Sequence, residues 1–427
     1  MKADTILSAL FKTVATSATL PLALALALAA NADTVTTNGV TWTYIVTDAE
    51  NKTVTLGGVG TFDTAAPSAA NGGVTDEMRA MPKATQIDAS LIPWTFKVGD
   101  DTYTVTAVGS LAFYGCTGLT GPFCIPSTVK TFGRESLCST KIRLVSLGGV
   151  TTMYGYSFQT SFPAQPFPDI SGVTTFGRGV FYKCPFSGVV RFGKDAAVGS
   201  YRLFRGCSNL EAIYAPGPDS SSKSFNMDEF AQSASKLEIV FFGPNTKPSN
   251  VTAGSMLDGM SNCKVFVPAN GQWNTLATGG TDNEVIYYGA ATNVNFAVDD
   301  DAGEVVATPT TEAALLKVIE SAPLFKKYFG WNTVVDVPNG LALSAGTLTA
   351  EMFTGLEPNS LVLMFHVTTQ AKANSILAAV PAEATISVDP TGLTEKLTIS
   401  RYENVFVKSA PGVEIRRYPK GFIVIVK

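Results

Sequence analysis

The sequence predicts a β-rich fold: an irregular leucine-rich-repeat solenoid with an N-terminal β-hairpin cap and a C-terminal α+β or β-sandwich domain. Three observations carry this expectation. An apolar anchor recurs every 21 to 27 residues through the middle of the chain. Glycine (38 residues) and proline (23) punctuate short segments, which favours a loop-dense β chain over a helix bundle. The third is a change of pattern near residue 290, where strand-like runs replace the repeat.

Bulk composition sets outer limits. A chain of 427 residues is too long for one ordinary core, so two or three domains are expected. It is 45% hydrophobic and 15% charged, against roughly 25% charged in an average globular chain. Disorder needs the opposite balance. The net charge is −4 and no Lys/Arg cluster occurs, so nucleic acid is set aside as a partner. An anionic membrane surface is disfavoured for the same reason.

Residues 1–32 read as a signal peptide. Lys2 and Lys12 give a positive start, an apolar run follows from Leu20 to Leu28, and Ala30-Asn31-Ala32 supplies small residues for cleavage before Asp33. The run is shorter than the roughly 20 residues of a membrane span, and no later stretch is longer. Export to a secreted or cell-surface location follows, with no transmembrane span after cleavage.

Residues 33–104 read as the cap. Val40–Val46 alternates and turns at Asp48–Asn51 into Thr53–Leu56, a hairpin pattern. Trp94–Val98 and Thr102–Val105 flank a Gly99-Asp100 turn and suggest a second hairpin. Residues 61–90, rich in Ala, Pro, Gly and Asn, read as a loop.

The solenoid is expected over 105–268. Its anchors are Phe113, Leu137, Phe158, Phe181, Phe204, Phe230 and Leu257, spaced 24, 21, 23, 23, 26 and 27 residues apart. Leucine-rich repeats run roughly 20–29 residues. A short apolar strand often follows each anchor and closes on proline, as in Phe123-Cys124-Ile125-Pro126 and Val265-Phe266-Val267-Pro268. One such unit cannot bury its apolar face alone, but stacked copies can. The recurrent glycines before the anchors are read as permitting tight bends.

Ala107-Val108-Gly109-Ser110-Leu111-Ala112-Phe113-Tyr114-Gly115-Cys116-Thr117-Gly118-Leu119, then Ile125-Pro126-Ser127-Thr128-Val129, resembles the BspA-type leucine-rich repeat. Phe204-Arg205-Gly206-Cys207-Ser208-Asn209-Leu210 matches the same core. The resemblance implies a secreted or cell-surface protein that binds extracellular proteins or cells. It implies no catalytic residues.

Residues 269–290 are expected to close the array, with Trp273, Tyr287 and Tyr288 covering the last coil. Residues 291–427 read as a separate β-rich domain with a helix over Glu312–Ser321, started by Thr308-Pro309 and stopped before Pro323. Asp299–Glu304 reads as a hairpin turn rather than a calcium loop, since the full ligand pattern is missing.

No cofactor, metal site or catalytic residue is indicated. The six cysteines include no Cys-x-x-Cys pair. Cys116, Cys184 and Cys207 each sit three residues after an anchor, so they are expected as buried thiols. A Cys184–Cys207 bond between adjacent coils is not excluded by distance. The single histidine, His366, lies within an apolar strand and has no nucleophile motif to serve.

The binding candidates are aromatic. Aligning strands by their closing proline puts Cys124, Tyr214, Phe242 and Phe266 in one column, with Phe241 replacing Phe242 if the register slips by one. An exposed aromatic row can anchor a protein or glycan partner; the competing reading places these rings in the core. The expected function is therefore non-catalytic binding of extracellular proteins, cells or glycans. The alternatives are a structural spacer in a surface layer and a carbohydrate hydrolase using two carboxylates.

Overall fold

A computed structural model describes residues 32–63, 69, 73–217, 223–336, 338 and 341, and the strand backbones Leu361–His366, Thr385–Val388, Thr394–Ile399, Asn404–Ser409 and Gly412–Arg417. The chain is a β-rich solenoid of about eight turns. It divides into two compact units. One is Met1–Phe186 with Ala196–Ser208 and Glu229–Gln232, and the other is Ser187–Asp195 with Asn209–Asp228 and Ser233–Lys427. The leader expected over 1–32 lies outside the described residues except for Ala32.

In the first unit the cap contains both expected hairpins. Val40–Asp48 pairs antiparallel with Thr53–Leu56, and Thr95–Val98 with Asp101–Val108. Alternation buries Val40, Trp42 and Tyr44 on one side. An edge strand, Asp33–Thr37, extends the sheet. Thr53–Leu56 also pairs parallel with Asp101–Val108, so the cap runs directly into the array. The described part of the 61–90 segment is more than loop. Ile87–Asp88 pairs parallel with Leu119–Thr120, Ala80 N–H donates to the Ala112 carbonyl, and the buried Arg79 donates through Nε to the Tyr114 carbonyl at 2.8 Å.

Each coil stacks through two ladders. One is a column of two-residue parallel strands, Thr131–Phe132, Thr152–Met153, Thr175–Phe176 and Ala197–Val198, joined in register to Ala107 and Val108. Its inward residues Val108, Phe132, Met153, Phe176 and Val198 are fully buried. The other lies in the turn around each anchor. Phe113 N–H donates to the Ser136 carbonyl, Leu137 to Ser157, Phe158 to Val180 and Phe181 to Leu203. Backbone groups of non-repetitive turns thus find partners one coil on, as buried amides require.

Three of the five recurrent glycines, Gly109, Gly133 and Gly177, serve close approach, whereas Gly155 has only an ordinary 3.4 Å contact and Gly199 has nothing within 4 Å. A Cβ at Gly109, Gly133 or Gly177 would lie 2.4, 2.5 or 2.8 Å from backbone atoms of Val59, Ser110 or Gly155. The sixth anchor is displaced by one residue. Phe204 N–H donates to the Phe230 carbonyl, so Ala231 holds the place of Phe181 and Phe204, and Phe230 the place of Val180 and Leu203.

In the second unit, parallel strands Phe186–Arg191, Leu210–Ala215, Ile239–Phe242, Lys264–Pro268 and Glu284–Tyr288 form one sheet. The segment expected only to close the array therefore supplies a further strand. A mixed sheet follows in the order Val294–Asp299, Glu304–Pro309, Asn332–Asp336, Leu361–His366, Gly412–Arg417, Asn404–Ser409, Thr394–Ile399, Thr385–Val388. One helix joins its second and third strands, so of the two expected architectures the α+β one is present.

The helix spans Glu312–Leu324, with the Thr311 hydroxyl accepting from Ala314 N–H at 3.2 Å. Pro323 does not stop it. It sits in the last turn, and the chain continues helically through Phe325–Phe329 because Leu315, Val318, Ile319, Ala322 and Phe325 form one buried stripe. Val294–Asp299 and Glu304–Pro309 make the expected hairpin around the acidic turn.

Candidate functional site

The aromatic row exists, but it is covered by the chain itself. Tyr214 pairs in register with Phe241, and Phe241 with Phe266. Phe242 pairs with Ala215 and points to the opposite face, where its ring lies 4.8 Å from Trp273. Tyr214, Phe242 and Phe266 are 6%, 0% and 0% exposed. Tyr214 packs 4.8 Å from Trp331, and Phe266 packs 5.0 Å from Phe325 and 5.5 Å from Phe296. The physical reason is the C-terminal helix and sheet, whose apolar stripe covers this strand face. Buried rings offer no surface to a partner, so the three binding candidates are core residues. Cys124, the first member of the proposed column, is exposed.

The first unit carries a groove that the sequence reading did not single out. Each coil turns through two left-handed residues four apart, flanking the anchor. The first of each pair is Leu111 (φ 62°), Glu135 (54°), Tyr156 (57°), Gly179 (56°), Arg202 (69°) and Glu229 (50°). This stacks their side chains, and those of their neighbours, along one edge of the coils. There Tyr114, Arg134, Glu135, Tyr156, Arg178, Tyr182 and Arg202 line a cavity of about 520 Å³, together with Ser139, Gln159 and Thr160.

Charge along this edge is arranged in pairs, with one exception. Arg202 forms a two-pronged contact with Glu229, Nε to Oε2 at 2.6 Å and Nη2 to Oε1 at 3.1 Å, and Arg205 joins the same carboxylate. These bonds hold the Glu229 carboxyl below its ordinary range and raise the Arg202 guanidinium above its own. Arg134 Nε lies 3.3 Å from Glu135 Oε1, and Ala69 N–H donates to Glu135 Oε2 at 3.1 Å. Arg178 forms no ion pair among the described residues, and its buried Nε has no hydrogen-bond partner. Its guanidinium lies 4.1 Å from the Tyr201 ring centroid and 5.3 Å from that of Tyr156, the rings contributed by the coils on either side.

Known proteins place the array. Residues 101–211 match the model of the BspA type leucine rich repeat region, in six copies. That stretch is a BspA-type leucine-rich repeat array. Among solved structures, a leucine rich repeat protein of T. pallidum is 18% identical over 47% of this chain and 83% of its own, with a TM-score of 0.33. A leucine-rich repeat protein of Bacteroides ovatus is 14% identical over 75% of this chain and 93% of its own, at 0.30. A leucine rich cell surface protein of Faecalibacterium prausnitzii is 12% identical over 61% and 96%, at 0.25. None of the curated proteins matches the chain.

Within the BspA-type array Cys184 and Cys207 act as internal donors. All six are free, and all but Cys124 are buried. The Cys184 thiol donates to the Phe158 carbonyl at 2.8 Å and Cys207 to the Phe181 carbonyl at 2.9 Å. Ser161 makes the equivalent bond to the Leu137 carbonyl. A small donor three residues past the anchor thus satisfies the anchor carbonyl one coil back. Burial pushes the Cys207 thiol up to about 12 and Cys116 to about 11.

Outside the array, the acidic turn has a structural contact. Asp300 Oδ1 accepts from Trp331 Nε1 at 2.7 Å and from Arg191 Nη1 at 2.8 Å. His366 ends the strand Leu361–His366, and its side chain lies outside the described residues. Among the described residues no His/Cys/Asp/Glu group of three or more could hold a metal ion, and no helix is long and apolar enough to cross a membrane.

Proposed function

We propose that this chain is an extracellular recognition module, non-catalytic, whose turn-edge groove holds a segment of a protein or glycan ligand. The observation that carries this reading is the cavity of about 520 Å³ lined by Tyr114, Tyr156 and Tyr182 and by Arg134, Arg178 and Arg202. Tyrosine and arginine dominate binding hot spots, because each joins a flat apolar face to polar donors. The volume falls within the roughly 300–1,000 Å³ of small-ligand sites. The leader-like residues 1–32 support export, and BspA-type repeats support a recognition role. A featureless spacer has no use for such a groove. A two-carboxylate hydrolase needs a pair of carboxyl groups facing one site, and among the described residues Glu135 is the one carboxylate that lines the cavity.

The test is an array of extracellular proteins and glycans probed with residues 33–427. Tyr182→Ala is expected to weaken the main interaction about tenfold, while Val145→Ser on an exposed strand position leaves it unchanged. Binding indifferent to Tyr182→Ala would place the interface elsewhere and sink the groove reading.

A further inference from the structure

We infer that the groove takes an acidic glycan, with Arg178 receiving an oxyanion, a carboxylate or a sulfate ester, carried on a sugar ring. This rests on the groove being the ligand-binding face and goes on to name the ligand chemistry.

The first support is charge. The chain carries a net −4, yet three arginines and one glutamate line this cavity. Two of the arginines are already matched, Arg134 by Glu135 and Arg202 by Glu229. Arg178 is not, and its buried Nε has no acceptor. That Nε is closed to solvent, so an arriving oxyanion meets the Nη edge of the guanidinium and supplies the counter-charge that Arg178 lacks.

The second support is preorganisation. A guanidinium offers parallel N–H donors that match two oxygens of one carboxylate or sulfate. Tyr201 at 4.1 Å and Tyr156 at 5.3 Å flank the Arg178 guanidinium, so its position is set by packing before any ligand arrives. Neither contact uses the N–H edge.

The third support separates a sugar from a peptide. Peptide and protein partners place a large apolar side chain in a desolvated pocket. Among the described residues this lining contains no branched aliphatic residue, and its apolar members besides the tyrosines are Ala69 and Cys138. It does contain tyrosine rings, onto which a pyranose can lay its C–H face. The hydroxyls of Ser139 and Thr160 and the Gln159 amide can meet sugar hydroxyls.

The experiment titrates residues 33–427 at about 150 mM salt with polygalacturonate, dextran sulfate, neutral dextran and polyglutamate. Binding to polygalacturonate or dextran sulfate, at least tenfold tighter than to neutral dextran and polyglutamate, is expected. The preferred polymer identifies the anion as carboxylate or sulfate. Arg178→Gln should lower that affinity about tenfold, and Arg143→Gln, an exposed arginine outside the groove, should not. Should Arg178→Gln lower the urea midpoint, Arg178→Lys replaces it. Charge is then kept and the fork lost, and a loss of about threefold or more is expected. Polyglutamate binding as tightly as the polysaccharides overturns the inference, as does affinity unmoved by both Arg178 variants. If neither acidic polysaccharide binds while Tyr182→Ala still weakens an array partner, the acidic-glycan inference falls and the recognition reading stands.

Discussion

Phe241 is the strongest test of the covered aromatic face. Its ring is fully buried and has six aromatic neighbours: Phe266 at 5.4 Å, Tyr288 at 5.5 Å, Trp331 at 5.6 Å, Phe325 at 5.8 Å, and Tyr214 and Phe296 at 6.1 Å. Truncation of a buried ring to alanine costs about 3–5 kcal/mol. The geometry puts Phe241→Ala at the upper end, about 4–5 kcal/mol, because the neighbouring rings come from four different strands, a helical segment and the loop residue Trp331 and cannot all collapse inward. Urea unfolding followed by tryptophan fluorescence suits the site, since Trp331 is in direct contact. With a slope of about 2 kcal/mol per molar urea, the midpoint should fall by about 2 M. Phe241→Leu should lose less than half as much. A loss under about 1 kcal/mol for Phe241→Ala would mean that the C-terminal region does not cover this face, and Tyr214 and Phe266 would return as surface candidates.

Three further outcomes follow from the array. The Glu229 carboxyl is held low by Arg202, so its contribution is full above the unfolded carboxyl value of about 4.3 and is lost as pH falls through the folded value. Glu229→Gln should therefore cost about 1–2 kcal/mol at pH 7, and the gap from the wild type should close between about pH 5 and 3 in urea midpoints. Cys184→Ser should be tolerated, because a hydroxyl can reach the Phe158 carbonyl as Ser161 reaches Leu137. Cys184→Val should lose about 1 kcal/mol, and thiol labelling of the folded chain should modify Cys124 well before Cys116, Cys138, Cys184, Cys207 and Cys263. Gly133→Ala forces a Cβ to within 2.5 Å of Ser110 N, so a loss of about 2 kcal/mol in thermal or urea unfolding is expected; a neutral result would refute the close-approach reading.

The repeat was legible because its determinants are local and periodic. An anchor every 21 to 27 residues and a small residue three places later mark single coils, and from Phe113 to Phe204 the structure stacks them in that register. The hairpins of the cap and the Asp299–Glu304 turn were legible for the same reason. What failed depended on contacts distant in sequence. Pro323 reads as a stop until the buried stripe of its helix is known. Phe230 reads as an anchor because nothing in Asp228-Glu229-Phe230-Ala231 shows that the Phe204 amide selects the residue before Ala231. The groove left a fainter trace. Tyrosine or arginine recurs at Tyr114, Arg134, Tyr156, Arg178, Tyr182, Tyr201, Arg202 and Arg205, always within three residues of an anchor. Anchor-based alignment draws attention inward, to the residues that pack, and these point outward.

The two aromatic sets of this chain separate by what lies beside them. Around Tyr214 and Phe266 the neighbours are Phe296, Phe325, Phe329 and Trp331, and the cation at that edge, Arg191, is matched by Asp300. That chemistry is closed: Arg191 has its carboxylate, and the Trp331 N–H donates to that same Asp300. Around Tyr156, Tyr182 and Tyr201 the neighbours are arginines, hydroxyls and an amide, and Arg178 lacks an acceptor. Apolar rings on a repeat face are therefore the weaker guide to binding here, because the same property that would attract a partner attracts the chain's own C-terminal helix. Rings interleaved with cations resist that fate. A covering segment would have to supply an oxyanion to Arg178 or leave a buried charge unmatched, at a cost of several kcal/mol. The turn edge thus stays open to an anionic ligand by the same electrostatics that would hold one.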